Sequence, residues 1–227
     1  MTQSFATTMK ERISERSLLK HPFYQDWQAG RLTLDDLAVY AGQYYFFEAN
    51  FPRYLSAIHS RCPDREVRQS ILDNLWDEEH GEENHRSLWL DFCEAVGLER
   101  DSVEHTDIHP KTQELLDTYE NTCNDGSFQE GLAAMYAYEQ QVPEIALEKM
   151  RGLKDHHGIY EAGALKFFAV HSTLDEEHSE KEEEGIANHT TRENQPAVEG
   201  ALQSALDAWW GFLDGVQEVR VATAAAI

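Results

Sequence analysis

Apolar residues recur every three or four positions along the chain, and sustained period-2 alternation of β-branched residues is missing. The pattern therefore predicts helices and no sheet. Thr33, followed by Asp35 and Asp36, reads as a helix N-terminus with its cap and first-turn acids. The run after it, LDDLAVYAGQYYFFEANFPRYLSAIHSRC, predicts a long helix bent near Pro52. A second long helix is expected from about Asp64 to Val96, closed by Gly97, and a third from about Pro110 to Cys123, ended by Asn124-Asp125-Gly126. The fourth runs from about Phe128 to Met150 with a kink at Pro143, which removes one backbone donor. A fifth runs from about Ile159 to beyond His178, and GIANHTTRENQP after it reads as a loop. The last, about Ala197 to Val221, puts Leu202, Leu206, Trp209, Leu213 and Val216 on one apolar stripe. Six or seven helices with short connections and no internal repeat predict an all-α fold, one compact bundle spanning residues 1–227.

Charge narrows the partners. The 227 residues carry 42 acids against 19 bases, a formal charge of −23, with only seven lysines. That surplus argues against a nucleic-acid backbone, whose phosphates demand Lys and Arg, and against an anionic membrane surface. Acids spread along the whole chain suit a solvated surface, and one adapted to a halophilic, high-salt cytoplasm, where screening weakens self-repulsion. Cys62, Cys93 and Cys123 lie far apart with no CxxC spacing, which fits reduced, buried thiols in a cytosol. The opening MTQSFATTMKERISERS lacks the apolar run of a secretory signal, so a soluble cytoplasmic protein is expected.

Three segments carry candidate chemistry. In His171-Ser-Thr-Leu-Asp175-Glu-Glu-His178, positions i, i+4 and i+7 share one helix face, so two imidazoles and a carboxylate point the same way. Such a set without thiolates suits iron or manganese and disfavours a structural zinc site. Trp76-Asp77-Glu78-Glu79-His80-Gly81-Glu82-Glu83-Asn84-His85 offers Glu78 and His85 seven apart, with Glu82 between them as an alternative ligand. A solvated acidic face is the rival reading, and the flanking Leu72, Leu75, Leu88, Trp89 and Leu90 argue against it by making this helix a core member. Glu139 stands inside the apolar stretch AAMYAYEQQVPEIAL, where a buried carboxylate would need a partner and an exposed one would not. Three carboxylates and three imidazoles from three helices can hold two metal ions. His21, His59, His80, His105, His109, His156, His157 and His189 are set aside as structural, loop or off-face positions.

With those residues in place, the opening Lys20-His21-Pro22-Phe23-Tyr24-Gln-Asp-Trp27-Gln-Ala-Gly30-Arg-Leu32 resembles the first segment of the TenA/PqqC-like proteins of haem-oxygenase-like fold. The set Glu78, His85, Glu139, His171, Asp175 and His178 is similar to the dimetal branch of that superfamily, which includes the chlamydial protein associating with death domains. The resemblance implies p-aminobenzoate synthesis for folate-type cofactors by oxidation of the protein's own tyrosine, with dioxygen as co-substrate and an external reductant. On that resemblance Tyr24 matches the sacrificed tyrosine and Lys149 the amino donor, while Tyr40 and Tyr138 match tyrosines able to relay a radical. Where a relative carries a tyrosine one turn before the first His of the triplet, this chain has Phe167 and Phe168. From the residues alone, Lys149 reads better as a surface lysine paired with Glu148, and Tyr24 as a packing residue at a helix start.

Two rival functions remain open at this stage. One is a dimetal oxidase of the same fold acting on an external amino acid or fatty acid. The other is a protein-interaction module without catalysis. Thiaminase-like hydrolysis fits poorly, since no cysteine stands at a matching position. A homodimer is expected from the resemblance, and Trp209-Trp210 could serve a contact or the core.

Overall fold

The computed structural model describes residues 5–225, and every regular element among them is helical. An N-terminal arm comprises α1 (Phe5–Glu15), a 3-10 turn at Leu18–Lys20 and α2 (Pro22–Gln28). The bundle follows as α3 (Leu34–Arg61), α4 (Arg65–Glu79), α5 (His85–Ala95), the single turn α6 (Arg100–Val103) and α7 (Pro110–Asp125). It closes with α8 (Phe128–Glu139), α9 (Val142–His157), α10 (Ala162–His189) and α11 (Gln195–Ala225). No helix among the described residues is long and apolar enough to cross a membrane. Thr33 and Asp36 form a reciprocal capping box at the start of α3, satisfying two of the backbone donors that a helix N-terminus leaves over. Leu202, Leu206, Trp209, Leu213 and Val216 of α11 are all buried, as the stripe predicts.

Helix boundaries differ from the pattern in three places. The expected helix from Asp64 to Val96 is two helices, α4 and α5. Gly81 adopts a left-handed φ of 82° between them. Asn84 then caps α5 by accepting the Ser87 N–H, while its own amide donates to the Gly81 carbonyl. Glu78 and His85 consequently do not share a helix face; one ends α4 and the other opens α5. The kink expected at Pro143 is a break, with Pro143 in the first turn of α9, where its missing N–H is tolerated. At that break the Gln141 side chain donates to the Ala137 carbonyl at 2.7 Å and accepts the Leu18 N–H at 2.9 Å. Finally, α10 continues through the first half of the expected loop, because Ile186 is fully buried and Gly185 lies against Leu132 and Val67. The short α1 and α6 were not anticipated.

Two long helices organise the centre. The α3 helix packs on α4, α5, α7 and α8, and α10 packs on α4, α5, α8 and α9. The arm is fixed against α9 by a close approach that needs glycine. A Cβ on Gly152 would lie 2.5 Å from Trp27 Cδ1, and Trp27 Nε1 donates to the Lys149 carbonyl at 3.3 Å. This contact sets where α2, and with it Tyr24, sits over α9. Gly152→Ala should therefore destabilise the protein by about 1–3 kcal/mol through overpacking. Denaturant unfolding checks it, and an unchanged midpoint would show that Trp27 has room to move.

Candidate metal centre

Five helices deliver acids and imidazoles to one buried region. The α10 helix presents His171, Asp175, His178 and, one turn further, Glu182 on a continuous face. Glu78 comes from the last turn of α4, His85 is the first residue of α5, Glu139 the last of α8, and Glu48 lies within α3. None of the eight is more than 6% exposed. All six ligand candidates chosen from the sequence are thus in the interior, while the alternative Glu82 is exposed.

Their geometry is that of groups gathered but not bonded to one another. Ligand atoms of Glu48, His85 and His171 lie within 4.8 Å of each other, and the two imidazole rings are 4.4 Å apart. His85 Nδ1 approaches Glu78 Oε1 at 2.9 Å, yet without the angles of a hydrogen bond. Asn74 Nδ2 donates to Glu139 Oε1 at 3.0 Å. His171 Nδ1 is tied to the Phe167 carbonyl at 2.8 Å, and His178 Nε2 lies 3.3 Å from the half-exposed Asp77. Each of these two rings therefore has one nitrogen oriented by an outer partner and one free, as metal-bound histidines do.

Electrostatics expose the strain of this gathering. Burial pushes Glu48 up to about 8, with Glu78 adding to the rise and His85 opposing it. Burial likewise pushes Glu139 up to about 8, against the Asn74 hydrogen bond and with Glu78 raising it. Asp175 is raised well above its ordinary value by burial and by Glu139, Glu78 and Glu48. Glu182 is raised similarly by burial, Glu139 and Asp175. Burial lowers His171 and His178, keeping both neutral and able to coordinate. His85 differs: burial lowers it, but the Glu78 carboxylate outweighs that and holds it at about 9.

These residues fit divalent metal. Buried atoms with no hydrogen-bond partner include Glu48 Oε1, His85 Nδ1, Glu139 Oε2, His178 Nδ1 and both oxygens of Glu182. Native cores rarely leave such atoms orphaned. A set of carboxylates and imidazoles without thiolate is the donor set of iron and manganese.

A second buried cluster adjoins the first. Lys149, 3% exposed, donates from Nζ to the Tyr40 hydroxyl at 2.7 Å, so it is not a surface lysine paired with Glu148. Tyr24 and Tyr40 share a hydrogen bond of 3.2 Å, as do Tyr44 and Tyr138 at 2.7 Å. Aromatic contacts connect this cluster to the histidines: Tyr44 to Trp89 at 4.1 Å, Trp89 to Phe167 at 4.8 Å, and Phe167 to His171 at 4.0 Å between ring centroids. Phe167 thus occupies the junction without a hydroxyl. Trp209 stacks on Tyr138 in the core, and Trp210 is half-buried, with its Nε1 on the Arg16 carbonyl.

Sequence reading missed Glu48, Glu182, Asn74, Tyr44 and Trp89. The signal that marked Glu139, an acid inside an apolar run, also marks Glu48 in YYFFEANF. Glu182 continues the face of His171, Asp175 and His178, but the surrounding KEEEG reads as surface.

An all-α bundle that buries a carboxylate–imidazole cluster defines a class, the haem-oxygenase-like metal-dependent oxidoreductases. The chain belongs to the iron-containing redox enzyme family, whose family model matches residues 38–210. It is 40% identical to the 4-aminobenzoate synthase of Nitrosomonas europaea, over 96% of this chain and 92% of that protein. Against the 4-aminobenzoate synthase of Chlamydia pneumoniae it is 37% identical, over 92% of this chain and 93% of that one. A haem-oxygenase-like domain from Shewanella denitrificans shares the fold, with a TM-score of 0.83 at 16% identity, covering 100% of this chain and 97% of that one.

The charge balance predicts different pH trends for apo and loaded protein. In the folded apoprotein Glu48 and Glu139 keep a proton up to about pH 8, against an ordinary 4.5. The folded state then binds more protons than the unfolded one, and stability falls as pH rises. His171 and His178, lowered by burial, oppose this below the ordinary histidine value of 6.5, and His85, raised to about 9, adds to it above that value. Lys149, lowered by burial to about 7, opposes it at higher pH. The melting temperature of chelated protein should therefore fall between about pH 6.5 and pH 8. Metal would hold the same carboxylates ionised in the folded state, as they already are in the unfolded one at these pH values, so the loaded protein should lose no stability over that window. Metal at a thousand times its Kd adds about 4 kcal/mol, or about 10 °C at this chain length. Calorimetry of both forms tests this, and parallel curves would contradict it.

Proposed function

We propose that the protein is a self-sacrificing 4-aminobenzoate synthase, in which the Tyr24 side chain becomes the aromatic ring and Lys149 supplies the amino group. Glu78, His85, Glu139, His171, Asp175 and His178 would hold two divalent ions, iron with iron or manganese with iron. When bound, these ions supply the activation of dioxygen that oxidation of a tyrosine requires, with an external reductant completing the electron count. The reaction belongs in the cytoplasm, where the three buried cysteines remain thiols.

One observation carries this reading. The two residues that the resemblance assigns as ring source and amino donor, 125 positions apart in the sequence, meet in one buried cluster through the Tyr40 hydroxyl. Lys149 Nζ is 5.5 Å from the centre of the Tyr24 ring. Burial lowers the lysine to about 7, so near neutral pH a large share is free, nucleophilic amine. Burial also raises the Tyr24 phenol, keeping it protonated, and its hydroxyl shares a hydrogen bond with Tyr40 Oη. Tyr40 is fully buried and Tyr24 only 4% exposed, so water is kept from both the amine and the ring. Tyr40 and Tyr138, with Tyr44 between them, offer a relay toward the metal-binding region.

Intact-protein and peptide mass spectrometry after anaerobic metal loading and exposure to oxygen tests the proposal. The expected result is product at no more than one equivalent per chain, with a matching mass loss located at Tyr24. Tyr24→Phe and Lys149→Met should both bind metal and make no product. Product formed over many turnovers by protein with intact Tyr24 would refute self-sacrifice and favour an external substrate.

A further inference from the structure

We propose that Glu48 is a metal ligand, joining His85 and His171 on one ion and adding a carboxylate from α3 to the six candidates on α4, α5, α8 and α10. The proposal rests on the reading of the cluster as a metal centre. It concerns a residue that neither the sequence pattern nor the resemblance assigned.

Three observations converge on it. Ligand atoms of Glu48, His85 and His171 lie within 4.8 Å of one another, although they arrive on three different helices. Two imidazoles and one carboxylate form the donor set that binds non-haem ferrous iron while leaving positions open for other ligands. Glu48 is 3% exposed, and its Oε1 has no hydrogen-bond partner. In a run as apolar as YYFFEANF, glutamine or leucine would fill the same space without the cost of a buried acid, which here the Tyr44 hydroxyl offsets only in part.

Helical register gives the carboxylate a further consequence. Tyr40, Tyr44 and Glu48 stand at i, i+4 and i+8 on α3, one face of one helix. Tyr40 touches Lys149 and Tyr24, and Tyr44 packs on Tyr40 with ring centroids 5.8 Å apart. With Glu48 coordinated, the same rigid element that carries the tyrosines is anchored to the ion. The spacing between the oxidising centre and the Tyr24–Lys149 cluster is then set by α3 itself, independent of loops.

The test uses full-length apoprotein and anaerobic calorimetric titration with Fe(II), repeated with Mn(II), on wild type, Glu48→Gln and the exposed-site control Glu82→Gln. Glu48→Gln should lose one ion per chain, or bind one of the two about ten-fold or more weakly. The control should match wild type. Glu48→Gln should also gain less melting temperature on metal addition than wild type does. Unchanged stoichiometry and affinity in Glu48→Gln would overturn the ligand role and leave the metal reading standing. Wild type that binds no ion would overturn both.

Discussion

Everything in this fold has to accommodate five carboxylates in one helical core. Glu48, Glu78, Glu139, Asp175 and Glu182 are each at most 6% exposed, and among the described residues the opposing charge in their buried surroundings comes from His85 and the weakly basic Lys149. Acids held in a low-dielectric interior either keep their protons or acquire cations. The raised values at Glu48, Glu139, Asp175 and Glu182 describe the first state, and the orphaned oxygens of Glu48, Glu139 and Glu182, with the orphaned nitrogens of His85 and His178, describe readiness for the second. Two divalent ions would remove about four units from the formal charge of −23. Part of the acidity that looks like surface is therefore interior.

The same constraint explains how oxidising and reacting groups come to be separate yet coupled. Lys149 shares the buried interior with these acids, but its amine is held by a phenol and surrounded by aromatic faces: Tyr24, Tyr40, Tyr44, Trp89 and Phe168 all lie within 6 Å of Nζ. Neutral amine suits that setting better than ammonium, which burial disfavours. The tyrosines therefore form a dry layer between the acids and the arm that carries Tyr24. Gly152, by letting Trp27 approach α9 so closely, makes the N-terminal arm part of that layer.

Much of this was legible in the sequence, and the failures have physical causes. Helical period and caps gave the all-α class, the N-cap at Thr33 and the stripe on α11, because those depend on local chemistry. Breaks at Gly81 and Gln141 were missed because each depends on side-chain hydrogen bonds that periodicity does not register. The triplet on α10 was readable from spacing alone, since all three residues share one helix. Glu78 and His85 came together for a different reason than spacing suggested, across a loop. Glu48 escaped because its partners lie on other helices, and an acid among aromatics signals burial without saying beside what. The Tyr24–Lys149 meeting is wholly tertiary, and only the resemblance connected those two residues beforehand.

Anomalous X-ray diffraction from crystals of metal-loaded protein, collected at the iron and manganese edges, tests the central claim most directly. The account predicts two peaks in the interior, both among Glu78, His85, Glu139, His171, Asp175 and His178, with one of them also contacting Glu48. A fully loaded crystal with a single peak, or with peaks only at surface acids, would contradict it.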